Sequence, residues 1–561
     1  MCGIWAVIGE EPTSSHRQQF MRIVGRGPDL TVIEEVQPGV FLGFHRLAIV
    51  MPGDVPSAQP IVGEGLAVVC NGEIYNHKEI KVASSAQLNN DGSDCAAIIH
   101  AFINSGYNLR EACASLDGVF AFIMADKENI YIGRDPLGVR PLFYGFSGSG
   151  ALIIGSEVKC TEQLCDRLDY FPPGCCAVVP IHGRTRQPAK IQLLSIAVQH
   201  YYSIPCIADR FLSIPSAQTL IRDFLVKAVE KRLMGNRQFG FMLSGGLDSS
   251  LIASIATKFL SKKPVAFSVG FEDSPDLENA KRVAEYLDIP HKVLVITPAD
   301  FLIITEVVYA LETFDPLIIR CGIAHYLLCK YIAQTSEVKV LLSGEGADEL
   351  FGSYAYMQRA PNAFHLHKEI LRRLTHLHQY DVLRCDRSTS CHGLEIRVPF
   401  LDKRFIDLVA RLPPTYKLIP MKLEKFILRS AFEGWLPEEV LWRSKEGFAE
   451  ALGKTDLGDI VHRHATTLVS DQMFADRADR FPDRTPETHE EYWYREIFED
   501  TFHYGKVGPL VHTKVYRTAA WHLVEEKENM KESLDVKQEE VQSMIRLRRR
   551  STGSSTLSGV A

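Results

Sequence analysis

Cys2 stands directly behind the initiator methionine, in Met1-Cys2-Gly3-Ile4. Once that methionine is removed, a thiol nucleophile and an α-amino base belong to one residue, the amine having a pKa of about 7.7 to 8.0. This is the single-residue counterpart of a cysteine activated by a neighbouring histidine. An inert terminal cysteine is the alternative, because a reactive thiol needs a supporting microenvironment. A second constellation is Phe241-Met242-Leu243-Ser244-Gly245-Gly246-Leu247-Asp248-Ser249-Ser250. An apolar run enters two glycines and then a helix start. Backbone N–H groups and the positive helix end therefore converge on one point, joined by the Ser244, Ser249 and Ser250 hydroxyls, and the result is an anion cradle. It matches neither GxxxxGK[ST] nor GxGxxG, which disfavours γ-phosphate transfer and dinucleotide binding. Asp248 among phosphate donors makes electrostatic sense when a divalent cation bridges it to the phosphates, which implies Mg²⁺. A plain glycine turn is the alternative.

A further apolar run ends in Leu341-Leu342-Ser343-Gly344-Glu345-Gly346-Ala347-Asp348-Glu349-Leu350. Three acids beside an apolar strand are costly unless solvated, paired or metal-bound. Glu345 and Asp348 are the candidates for base and metal ligand, and Glu349 for a solvated group. Arg384-Cys385-Asp386-Arg387 and Glu395 to Asp402 supply alternating charges that suit structural ion pairs as well as a substrate pocket. Lys445, in a glycine-containing loop, is a candidate phosphate cation.

The elements that must position these residues follow two grammars. Over residues 1 to about 190, short apolar runs at 40–44, 66–70, 119–124 and 151–154 are separated by glycine-bearing turns, with a helix over about 94–105. From about 218 to 450, strands at 239–243, 265–269 and 338–342 alternate with helices at 249–260, 276–287, 300–312 and 319–334. That is the pattern of βαβ units and a parallel sheet, whose carboxyl ends converge on a ligand crevice. Residues 191–217 form the join. The tail from 511 to 561 carries Glu/Lys-rich and Arg-rich stretches and is expected to be partly disordered.

Composition sets outer bounds. A chain of 561 residues exceeds one core and predicts two or three domains. Its net charge of −7 argues against a nucleic-acid partner. No stretch reads as 18 apolar residues, so no membrane span is expected. The 13 scattered cysteines, without metal-ligand spacing, fit free thiols in a reducing, cytoplasmic setting.

From Met1 to about residue 510 the chain resembles the glutamine-hydrolysing asparagine synthetases. The first domain is similar to the class II glutamine amidotransferases through Cys2-Gly3-Ile4, Arg26-Gly27-Pro28-Asp29, Phe44-His45-Arg46-Leu47-Ala48, Gln59-Pro60, Asn71-Gly72-Glu73-Ile74-Tyr75-Asn76, Ser93-Asp94, Leu116 to Ala121 and Gly133 to Leu142. The resemblance implies a four-layer αββα N-terminal-nucleophile fold over 1–190. It implies Cys2 as nucleophile, an oxyanion hole of Asn71 and Gly72, and glutamine held by Arg46, Asn71, Glu73 and Asp94. These charges also make independent sense for a zwitterion, which needs a fixed cation and fixed anions.

The second domain, 218–510, resembles the adenine-nucleotide α-hydrolase-like ATP pyrophosphatases, an α/β parallel-sheet fold. The resemblance implies ATP and pyrophosphate contacts from Leu243, Ser244, Gly245, Gly246, Asp248, Ser249, Val269, Ser343, Gly344 and Lys445. It implies Mg²⁺ on Asp248 and Asp348, Glu345 as general base, and aspartate contacts from Asp386 and Arg387. Glutamine, aspartate and ATP are the expected partners, a homodimer is left open, and an apolar passage carries ammonia between the sites. Two positions depart from the family pattern. Gly25 replaces a histidine, which is expected to alter loop packing more than chemistry, and Ala96 replaces a glutamate at a helix start, worth about 0.3 to 1 kcal/mol. A β-lactam-forming synthetase, an amidophosphoribosyltransferase and a silent scaffold are the competing readings. The intact set Cys2, Arg46, Asn71, Glu73, Asp94 opposes the first, the Ser244–Ser250 loop the second, and the presence of Cys2, Asp248, Glu345 and Asp348 the third.

Overall fold

The computed structural model describes residues 1–50, 58–181, 196–209, 211–418, 423–443, 457–511 and 519. Lys445 and all of the tail except Val511 and Ala519 lie outside the described residues. The first domain is built on alternation. Along β1 (Gly3–Ile8), Ile4, Ala6 and Ile8 enter the core between two sheets, while Trp5 and Val7 face the layer outside. The strands that follow are β2 (Leu30–Gln37), β3 (Val40–Arg46), β4 (Ile61–Gly63), β5 (Leu66–Ile74), β6 (Gly118–Ala125) and β7 (Asn129–Arg134). The domain's last strands are β8 (Phe143–Phe146), β9 (Leu152–Gly155), β10 (Arg167–Tyr170), β11 (Cys175–Pro180) and β12 (Gln199–His200).

They make two antiparallel sheets, ordered β10-β8-β9-β1-β3-β2 and β12-β11-β7-β6-β5-β4. Helices His77–Val82, Ala97–Asn104 and Leu109–Ser115 cover the second sheet, and helix Ser14–Met21 packs outside the first. This is the four-layer αββα arrangement. The helix read at 94–105 opens as a 3₁₀ turn, Asp94–Ala96, because the Ser93 side chain caps Cys95 N–H. Of the stretch read as a join, 199–200 pair with β11, and a helix beginning at Ile214 opens the second domain.

In that domain β13 (Phe239–Met242), β14 (Val265–Gly270), β15 (His291–Val295), β16 (Val340–Leu342) and β17 (Glu395–Arg397) form a parallel sheet ordered β15-β14-β13-β16-β17. The strand order reverses between β13 and β16, so the crevice for a ligand opens at their carboxyl ends. Sequence patterning anticipates β13, β14 and β16 but not the two edge strands. β15 is half-exposed, and β17 is a three-residue Glu-Ile-Arg whose charged ends hide it from any apolar-run criterion. The helix read at 300–312 is two elements, Pro298–Leu302 and Ile304–Leu311, the first fixed by a Thr297–Asp300 capping box.

Helix Pro316–Thr335, with mean hydropathy 1.2 over 18 residues, has the length and composition of a span, yet Arg320 and Lys330 interrupt it and it contains no run of 18 apolar residues. It packs in the core against β14 and against helices Ile304–Leu311 and Asp381–Ser390. The apolar layer outside the first sheet is continuous with the core of the second domain. Gly25 has its reason at this seam, since a Cβ there would lie 2.7 Å from the Cys391 carbonyl oxygen.

Candidate active sites

The β1–β3 register, Gly3 opposite His45, sets Cys2 beside Arg46 and Leu47. Leu47 N–H lies 3.5 Å from Cys2 Sγ, and the thiol is half-buried. Burial pushes it up to about 11 while Met1 is attached. The free amine in this chain belongs to Met1, is buried 3.8 Å from Glu395 Oε2, and is pushed down to about 6 by desolvation. β5 brings Asn71, Gly72 and Glu73 in succession. Asn71 is fully buried, and neither its amide nitrogen nor its oxygen has a hydrogen-bond partner among the described residues. Such an orphaned amide is costly unless a ligand completes it.

Glu73 and Asp94 are buried together. Ile74 N–H donates to Asp94 Oδ2 at 2.8 Å, and Arg397, reaching across from the second domain, lies 3.4 Å from Glu73 Oε2. Burial raises both carboxyls, Asp94 to about 6 and Glu73 well above the usual range, and the nearby Glu395 adds to the effect. Arg46 is buried at the end of β3. Thiol, orphaned amide, paired acids and arginine suit an uncharged amide on a zwitterion.

In the second domain the β13 loop folds on itself. Ser244 N–H donates to Ser249 Oγ at 3.2 Å, Gly246 N–H donates to Ser244 Oγ at 3.3 Å, and helix Leu247–Ala256 starts at once. Val269 closes β14 alongside. The loop after β16 touches it, since a Cβ on Gly344 would sit 2.7 Å from Ser249 N. Ser343 N–H donates to the Arg397 carbonyl at 3.0 Å, and Glu345 N–H to Ser343 Oγ at 3.2 Å. Asp248 and Asp348, from the two strand ends, meet on the buried ammonium of Lys425, which is 2.6 Å from Asp348 Oδ1. Two carboxylates converging on one cation position fit Mg²⁺, which takes few protein ligands and completes its shell with phosphate and water.

Arg384 Nη2 donates to Glu345 Oε1 at 2.7 Å and to Asp381 Oδ1 at 3.3 Å. Burial raises the Glu345 carboxyl, and Arg384 opposes that rise.

Asp386 and Arg387 are not brought to this crevice. Both are fully buried at the domain seam, where Arg26 Nη1 donates to Asp386 at 2.8 Å and Arg387 pairs with Glu312 at 3.0 Å. Arg26 in turn donates to the Cys2 carbonyl at 3.0 Å. The charged pair that does stand beside Glu345 is Asp381 and Arg384. The missed signal is helical phase, because on helix Asp381–Ser390 residue 386 lies about 140° round from 381 whereas 384 shares its face. Lys425, a lone lysine, and Arg397, whose target lies in the other domain, carry no local signal.

Fold and sites together define an amidotransferase with an N-terminal nucleophile, fused to an ATP-pyrophosphatase-like α/β domain. A family model described as Glutamine amidotransferase domain matches residues 1–170, and one described as Asparagine synthase matches residues 220–365 and 358–534. The chain is 37% identical over 530 residues to glutamine-hydrolyzing asparagine synthetase 3 of Arabidopsis thaliana, covering 90% of this chain and 88% of that one. It is 37% identical over 549 residues to the glutamine-hydrolyzing asparagine synthetase of Cricetulus griseus, covering 91% and 95%. Among solved structures, the NMN synthetase of Francisella tularensis aligns over 57% of this chain and all of its own at 16% identity and a TM-score of 0.24, too distant to carry argument. The chain belongs to the glutamine-hydrolysing asparagine synthetases, which are C–N ligases.

Proposed function

We propose that the two sites carry the two halves of one synthesis, in which glutamine, aspartate and ATP give asparagine, glutamate, AMP and pyrophosphate. The carrying observation is that Cys2 and a buried Asn71 amide without a partner among the described residues occur in the first domain, and a serine-rich anion loop flanked by Asp248 and Asp348 in the second. Removal of Met1 makes the Cys2 nitrogen a free amine. That amine takes the thiol proton as sulfur attacks the glutamine side-chain carbonyl, then passes it to the departing ammonia. The Asn71 amide and Gly72 N–H stabilise the tetrahedral oxyanion, a contribution of several kcal/mol. Arg46 holds the α-carboxylate, Glu73 and Asp94 the α-ammonium, and water releases glutamate from the thioester.

In the second site a carboxylate oxygen of aspartate attacks the α-phosphorus of ATP. Pyrophosphate departs into the Ser244–Ser249 N–H and hydroxyl donors, with Lys425 as a buried cation and Lys445 assigned by resemblance. Leu243, Val269, Ser343 and Gly344 border the adenosine. Asp248 and Asp348 would hold Mg²⁺, which would supply positive charge against the departing phosphates. Arg384 and Asp381 supply the cation and anion that an amino-acid acceptor requires. Ammonia, arriving through the apolar seam unprotonated, attacks the acyl carbonyl of β-aspartyl-AMP, Glu345 takes its proton, and AMP leaves. The 13 cysteines, all free, fit a cytoplasmic setting. Incubation with ATP, Mg²⁺, aspartate and amide-labelled glutamine tests the whole scheme: labelled asparagine with AMP and pyrophosphate is expected, and ADP with phosphate overturns it.

A further inference from the structure

Helix Pro316–Thr335 presents two residues, Cys321 and His325, one turn apart on the same face. Cys321 is half-buried, and the charges nearest its thiol are, in order of effect, Arg384, Asp381 and Glu345. His325 is 6% exposed, and Arg384 is the one charged group acting on its ring. Its Nε2 lies 3.1 Å from Met242 Sδ, at the end of β13 directly before the anion loop. A thioether carries no proton, so Nε2–H is the donor in that contact and Nδ1 is left as an acceptor. Nδ1 is buried and has no hydrogen-bond partner among the described residues. The helix face therefore spans from the phosphate loop to the Glu345–Arg384–Asp381 cluster, and it offers one acceptor unfilled among the described residues and one half-buried cysteine between them.

The geometry points to Cys321 and His325 as the wall of the acceptor amino-acid subsite, with His325 Nδ1 accepting a hydrogen bond from the substrate's α-ammonium and the Cys321 thiol packing against the acyl-adenylate. The inference rests on reading the second domain as the synthetase. A neutral imidazole suits this role, because a charged one would repel both the ammonium and Arg384. Burial pushes His325 down to about 3 and Cys321 up to about 11, so both stay uncharged at neutral pH and act by contact, outside the proton transfers assigned to Glu345.

The test is labelling of the full chain by N-ethylmaleimide, mapped by peptide mass spectrometry, with exposed Cys206 as the internal reference. Aspartate together with ATP and Mg²⁺ is expected to slow labelling of Cys321 about tenfold when aspartate stands about ten times above its Kd, leaving Cys206 unchanged. In ammonium-dependent synthesis, Cys321→Leu and His325→Leu are expected to raise the KM for aspartate about tenfold with little change in the KM for ATP. Equal labelling of Cys321 with and without substrates overturns the inference, and it does so even if the variants fail to fold. Unchanged aspartate KM values in both folded variants overturn it as well. A chain that makes asparagine but shows no protection refutes this subsite alone. A chain that makes no asparagine from ammonium or glutamine refutes the synthetase reading beneath it.

Discussion

Glu73 and Asp94 share a buried space, so each makes it harder for the other to ionise, and the Arg397 guanidinium offsets only part of that. A substrate ammonium supplies the missing positive charge but needs at least one carboxylate ready to receive it. Asp94, held near 6 by burial rather than at the ordinary 3.9 or so, is protonated and unable to bind below that value. Glutamine kcat/KM should therefore fall about tenfold per pH unit as pH drops through 6, while ammonium-dependent synthesis, corrected for ammonia speciation, lacks this limb. Steady-state kinetics on both nitrogen sources check this, and an Asp94→Asn variant that kept the limb would remove Asp94 as its origin. Glu345 presents a different question, because its ion pair with Arg384 fits either a proton acceptor or a brace for that arginine. As the acceptor, Glu345→Gln should leave ATP and Mg²⁺ binding intact and cut saturated asparagine formation by about 10²–10⁴. As a brace it should raise the aspartate KM and leave turnover near normal, so nucleotide affinity measured apart from saturated turnover separates the two.

At the level of elements, Asp94 depends on a segment with no regular structure of its own. Residues 84–93 are tied to helix Ala97–Asn104 through His100, whose Nδ1 lies 2.8 Å from Ser84 Oγ and whose Nε2 lies 2.7 Å from Asp91 Oδ1. Lys81 Nζ adds a bond to the Ser93 carbonyl at 2.8 Å. His100→Ala should release this segment and raise the glutamine KM about three- to tenfold with kcat little changed, and His100→Asn, which keeps one ring-like donor, should recover part of the loss. An unchanged KM would make the tie structural only. None of this is visible in the sequence, where His100 is one more residue in a helical pattern. What the sequence does disclose is whatever local physics writes into it: the apolar runs of β3, β5, β6 and β9, the glycine turn into helix Leu247–Ala256, the acids after β16. Residues whose placement depends on which way a helix is turned, such as Asp381 and Arg384, on what the other domain brings, such as Arg397, or on partners far away in the sequence, such as Lys425, carry no such imprint. Asp386 and Arg387 sit in the same charged run as Arg384, and only the helical phase separates the face beside Glu345 from the seam.

Over the whole molecule, the two domains are welded by buried charge as well as by a continuous apolar core. Asp386 receives Arg26 and Arg387, Glu157 receives Arg26 and Lys159, and Glu312 receives Arg387 and the Lys159 backbone N–H. Opposing arginines hold the Asp386 carboxyl below its usual range despite full burial. The chemistry of the two sites should nonetheless separate: Cys2→Ala is expected to abolish glutamine-dependent synthesis and leave ammonium-dependent synthesis largely intact, because the thiol serves only nitrogen release. The seam should not separate in this way. Asp386→Ala leaves Arg26 and Arg387 with one acid fewer, and losing one partner of a buried pair costs about 3–5 kcal/mol. Arg26 also holds the Cys2 carbonyl, so the same change should loosen the nucleophile. The expected result is a lower melting temperature in a single calorimetric transition, with glutaminase activity failing at temperatures where the unaltered chain still works. Two resolved transitions, with the second domain melting as before, would show that the seam joins the domains without making them one cooperative unit. Replacing Asp386 by Asn keeps an acceptor for Arg26 but removes the charge. It should fall between the two proteins if the seam acts through charge, and match the unaltered chain if one hydrogen bond to Arg26 is all that Cys2 requires.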